Sequence, residues 1–233
     1  MNSKETRSFI CEVRAEQDEQ HGAYIVGMPI VYNQWTDMGW YSEMIRDTAL
    51  VGCDLKDVRF LVGHNTSMVP LARSRNNNEN STMQLIPKEE GLMVRVNLDI
   101  ENNAEAKALY SAISRGDISG MSFMMIDNRD KDVWTDVESD HPKREITSLI
   151  RVLEVSAVPF PAYEQTSIQC ASEDTALDSA RASLESAKQK LAEERAAQEA
   201  AEAAEEAARA EQERRTAALE RLKNLITEVS DHV

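Results

Sequence analysis

The chain has 233 residues and a net charge of −15, room for one domain of ~150–170 residues and a further segment. That acidity argues against direct nucleic-acid binding, which needs a basic footprint. The charged opening MNSKETRSFICEVRAEQ lacks a signal peptide's apolar core, and no stretch reaches the length of a membrane span, so a soluble intracellular protein is expected.

Cys11, Cys53 and Cys170 are odd in number and form no CxxC pair, which reads as free thiols in a reducing compartment. All eight Gly and all six Pro precede residue 162, and no Gly, Pro or aromatic residue occurs from Ser172 to Val233. Composition therefore places a β-rich domain over residues 1–168 and an acidic, Ala/Glu-rich helical tail over residues 169–233.

In chain order, RSFICEVRA (7–15) alternates as a strand, and GAYIVGMPIVYNQ (22–34) is a β run that Gly27 and Pro29 should bend or bulge. WTDMGWYSEMIRDTAL reads as a loop leading into a short helix, and VRFLVGH (58–64) as a strand. Residues 65–80 read as irregular, and TMQLIPKEEGLMVRVNLD as two strands across a turn. NAEAKALYSAISR (103–115) has helical spacing, with Asn102 or Asn103 as N-cap and Gly116 as stop. SGMSFMMI is a strand, DNRDKDVWTDVESDHPKRE a charged loop, and ITSLIRVLEVSAV the last strand. The fold class expected is α+β and β-dominated: a closed or nearly closed antiparallel barrel with a few helices, followed by a long C-terminal helix.

In the tail, Leu177, Leu184 and Leu191 recur every seven residues, and Leu219, Leu222, Ile226 and Val229 form a second short seam. Ala196 to Ala210 has high helix propensity but almost no apolar stripe. It reads either as a solvated helix or as one that pairs with itself or another helical protein, packing little on the β domain.

Three polar residues stand on apolar strands: His64, Ser122 and Glu154. Each needs a partner there. Together they supply a base, a nucleophile and an orienting acid for acyl transfer. Each also has a structural reading: a serine bonded to a neighbouring strand, a core or edge histidine, a structural ion pair. By strand alternation Ser122 shares a face with Met124 and Ile126, and Glu154 with Ile150, Val152 and Val158. Ser119 competes as nucleophile but follows Asp117 as turn chemistry does. His21, His141 and His232 lie in charged or terminal segments. No His or Cys has ligand spacing to His64, so no metal is expected.

The segments GMPIVYNQWTDMGWYSEMI, DVRFLVGHN, LIPKEEGLMVRVNLD, AKALYSAISRGDISGMSFMMI and RVLEVSAVPFPAY, in this order, span most of residues 7–168. This order resembles the prohead (capsid maturation) serine proteases of tailed bacteriophages, which are related in fold to the herpesvirus assemblins. The resemblance implies that His64 is the general base and Ser122 the nucleophile, with Glu154 where the third member is expected. It departs at Ser122-Phe123-Met124-Met125, where family members commonly carry a small residue and then glycine after the serine. The function it implies is a cofactor-free endopeptidase. It would act inside the assembling procapsid in the host cytoplasm, on scaffold, on the scaffold-like arm of the major capsid protein, and on itself. Two alternatives are a non-catalytic scaffold acting through the tail and a small-molecule serine esterase. Against the esterase stands the lack of a G-x-S-x-G elbow.

Overall fold

The structure is a computed structural model, and it describes residues 4–10, 13–159 and 173–230. Cys11, Cys170 and His232 lie outside these residues. Contacts divide the chain into two units, Met1–Glu185 and Ser186–Val233.

Among the described residues, the first unit holds thirteen strands in three sheets. The sheet that carries the site is built from β1 (Lys4–Ile10), β10 (Gly120–Asp127), β13 (Leu149–Val158), β6 (Asp57–Val62) and β7 (Ala72–Arg75), in that order. A second sheet runs β2 (Arg14–Asp18), β3 (Gly22–Val31), β9 (Gly91–Asn97) and β8 (Met83–Lys88). A third runs β11 (Val133–Thr135), β12 (Lys143–Ile146), β5 (Ser42–Ile45) and β4 (Thr36–Asp37).

The closed antiparallel barrel is therefore not the architecture. The three sheets are open, with β1 and β7 as the edges of the first. Two strand pairs, β13 with β6 and β12 with β5, run parallel. Alternation of apolar residues gives a strand its buried face. It does not give the strand's partner or direction, and it is in pairing that the expectation fails.

Local chemistry explains much of the rest. Gly27 backs onto Met121, and a register shift falls between Gly27 and Ile30, where the bend was expected. The helix α1 (Ala104–Ser114) starts at Asn103, whose side chain accepts from the N–H of Glu105 and Ala106 at 3.0 and 3.1 Å. Gly116, with φ of 77°, ends it. The segment read as leading into a short helix forms β4, β5 and a run of turns instead. Met44 and Ile45 are drawn into a sheet by pairing with Glu145 and Ile146. The charged loop likewise holds β11 and β12.

The core includes Phe60, Phe123, Met125, Val94, Val96 and Val155, all fully buried. Cys53 is a free, half-buried thiol whose pKa burial pushes up to about 11.

One long helix, α2 (Glu173–Ser230), bridges the two units. Its first turns belong to the first unit. Ser179, Ala180, Ser183 and Leu184 are buried. Trp134 Nε1 donates to Ser183 Oγ at 2.9 Å, and Arg181 lies 5.9 Å over the Trp40 ring. Trp40 and Trp134 stack at 6.2 Å. The tail thus does not stand clear of the β domain along its whole length: Leu184, read as part of a coiled-coil seam, is buried within the first unit. In the second unit every residue from Ala192 to Arg221 is exposed, as a helix without an apolar stripe should be.

Candidate active site

Ser122 lies in β10, flanked in register by Ser8 of β1 on one side and Ser156 of β13 on the other. Met121, Phe123 and Met125 alternate into the core, so Ser122 takes the opposite face. It is wholly buried.

Glu154 reaches that same face through a bulge. The β10–β13 register runs Met124 with Glu154 and then Met125 with Val152, which leaves Leu153 as the extra residue. Val152 and Val155 therefore both enter the core, while Glu154 and Ser156 face Ser122's side. Strict alternation had grouped Glu154 with Val152, and the bulge is why that grouping fails.

His64 follows β6. Gly63 and His64 both have φ of 59°, in the left-handed region. That is unusual for a residue with a Cβ and turns the chain sharply off the strand end. The turn is pinned by the His64 N–H, which donates to Ser156 Oγ at 3.1 Å. His64 is thus not the last residue of the strand face made by Val58 and Phe60.

These features bring the three side chains together. His64 Nε2 is 2.6 Å from Ser122 Oγ, and His64 Nδ1 is 2.6 Å from Glu154 Oε1. The Ser156 hydroxyl donates to Glu154 Oε2 at 2.6 Å, so both carboxylate oxygens are engaged. Glu154 is 2% exposed, and a carboxylate so placed needs such partners. A second acceptor competes for the Ser122 proton: Ser122 Oγ donates to the Arg7 carbonyl oxygen at 2.8 Å.

Arg7 also ties β1 down. Its guanidinium binds Glu43 through Nε and Nη2, the latter at 2.8 Å. Arg144 Nη1 shares Glu43 Oε2 at 2.9 Å and reaches Asp127 and Asp132 through Nη2 at 2.5 and 2.6 Å. Burial alone would raise the Glu43 carboxyl, but Arg7 and Arg144 outweigh it and hold the pKa below the usual range. Asp132 goes the other way. Burial pushes it up to about 7, against the pull of Arg144.

Sequence reasoning missed Ser156, Arg7 and Glu43. Ser156 carried a signal, since it stands two residues from Glu154 on an apolar strand. The other candidates lie elsewhere. His21 pairs with Asp18, His141 Nε2 is 2.8 Å from Ser42 Oγ, and Ser119 is exposed ahead of β10.

The family described as caudovirus prohead serine protease matches residues 10–179. The chain belongs to this family. It is a serine protease of phage capsid maturation. A solved structure, that of the bacteriophage T4 capsid assembly protease, is similar at 12% identity with a TM-score of 0.33, covering 66% of this chain and 98% of that one. No curated protein matches the chain.

Proposed function

We propose that Ser122 is the nucleophile, His64 the general base and Glu154 the residue that orients it. The observation that supports this most is the pair of 2.6 Å contacts that set one imidazole between a buried hydroxyl and a buried carboxylate. His64 Nε2 takes the Ser122 proton as Oγ attacks a peptide carbonyl, then delivers it to the leaving amine. Glu154 holds the Nδ1 proton and stabilises the imidazolium. Water then hydrolyses the acyl-enzyme by the same proton path.

The substrates are the scaffold protein or the scaffold-like arm of the major capsid protein, together with the protease itself, within the procapsid in the host cell. The chemistry needs no cofactor. The exposed helix of the second unit is the element that associates with itself or with a helical partner during assembly. Co-expression of the protease with its capsid protein, followed by intact-mass analysis, tests the assignment. Substrate trimming should be present with the wild type and lost in Ser122→Ala.

A further inference from the structure

Ser122 is fully buried, yet an attacking hydroxyl must meet a substrate carbonyl. The carbonyl that meets it in this structure belongs to β1. Arg7 O lies 2.8 Å from Ser122 Oγ, and Ser8 is directly opposite Ser122 in the antiparallel pairing. β1 is an edge strand held on β10, and most of it lies ahead of the family-matched segment, which begins at Ile10. An extended peptide added to a sheet edge is a common way to present a main chain.

We infer that β1 occupies the position of the substrate strand, and that Glu43 is a specificity-determining residue selecting a basic side chain on the acyl side of the cleaved bond. This rests on the triad reading above. In that position the Arg7 side chain is the one next to the carbonyl at the nucleophile. It is 2% exposed, and its Nε and Nη2 both engage Glu43, itself 4% exposed. A planar guanidinium fits a carboxylate through two N–H groups, and an ammonium reaches it as a point charge, so arginine is preferred over lysine and both over neutral residues. An acidic residue there would face Glu43 across a buried space and be rejected.

The bond at risk is Arg7–Ser8 in β1, or its equivalent in an incoming strand that displaces β1. Oγ bonds to the carbonyl carbon and its proton passes to His64 Nε2. The C–N bond breaks as that proton moves to the leaving nitrogen, and water then releases the carboxylate. While β1 stays, its carbonyl accepts the hydrogen bond that the Ser122 hydroxyl would otherwise donate to His64 Nε2, and it blocks the β10 edge.

The test uses the full-length protein and the decapeptide KETRSFICEV, the sequence of residues 4–13, with Arg, Lys, Leu or Glu at its fourth position. Cleavage sites are read by mass spectrometry, with unfolded casein as a second substrate. Cleavage should follow the fourth residue, at least about 100-fold faster for Arg and Lys than for Leu or Glu. Glu43→Gln should cut the Arg-to-Leu ratio at least about tenfold. Because Glu43 also binds Arg144, a variant that fails to fold leaves the wild-type peptide ranking to decide. Ser122-dependent cleavage of casein without a basic preference in the peptides would overturn this inference alone. Absence of any Ser122-dependent cleavage would overturn the triad reading with it.

Discussion

The Ser156 hydroxyl donates to Glu154 Oε2 at 2.6 Å and accepts the His64 main-chain N–H at 3.1 Å. One side chain thus fixes both the carboxylate and the turn that aims the imidazole. Ser156→Ala should lower kcat by about 10–100-fold with little change in KM, since a small misplacement of reacting groups costs about that much. It should also cost about 1–3 kcal/mol of stability, because a buried donor and acceptor lose their partner. Steady-state kinetics and a denaturant melt check both.

His64 and Glu154 should separate in their effects. On the proposed assignment His64→Ala removes the general base, and activity should fall below detection. Glu154→Gln keeps the shape but not the charge, and should leave a measurable remnant about 10³–10⁴-fold below wild type. Equal loss in both would count against the orienting role.

Asp132 should mark the pH dependence of stability. Its pKa rises from 3.8 to about 7 on folding, so the folded state binds the proton more tightly than the unfolded chain does. Its stabilising share is full below pH 3.8 and is lost as pH rises through about 7. Glu43 and Asp57 are shifted down and act oppositely, losing their share as pH falls below the ordinary carboxylate range. Asp132→Asn should flatten the decline in stability between about pH 4 and 7, measured by denaturant melts at pH 5 and 8.

The tail should divide functionally inside α2. Removing residues 186–233 should leave the first unit's melting unchanged. Removing residues 173–233 should lower its stability by about 3–5 kcal/mol, since Leu184 and Ala180 lose buried area and Trp134 loses its hydrogen-bond acceptor. Equal melting of the two truncations would show that the first turns of α2 add nothing.

What the sequence made legible follows from the range of each signal. Asn103 and Gly116 mark the ends of α1 through contacts within a few residues, and the bend at Gly27 is equally local. The three candidate site residues stood out because a polar side chain on an apolar strand is conspicuous. The bulge at Leu153 had no such mark, since an extra residue in a valine- and leucine-rich strand changes no composition. Nor did the parallel pairing of β13 with β6, which depends on residues 95 positions apart, such as Glu154 and Arg59. The Arg7–Glu43–Arg144 network was hidden for the same reason: in sequence these are ordinary surface charges, and only the sheet packing buries them.

The most direct test of the account is trimming of the phage's own capsid or scaffold protein by wild type and by Ser122→Ala, with folding of the variant verified by its melt. The hydroxyl 2.6 Å from His64 Nε2 is the group assigned to attack. The account predicts discrete truncated products with the wild type and only full-length substrate with the folded variant. The same products from Ser122→Ala would contradict it.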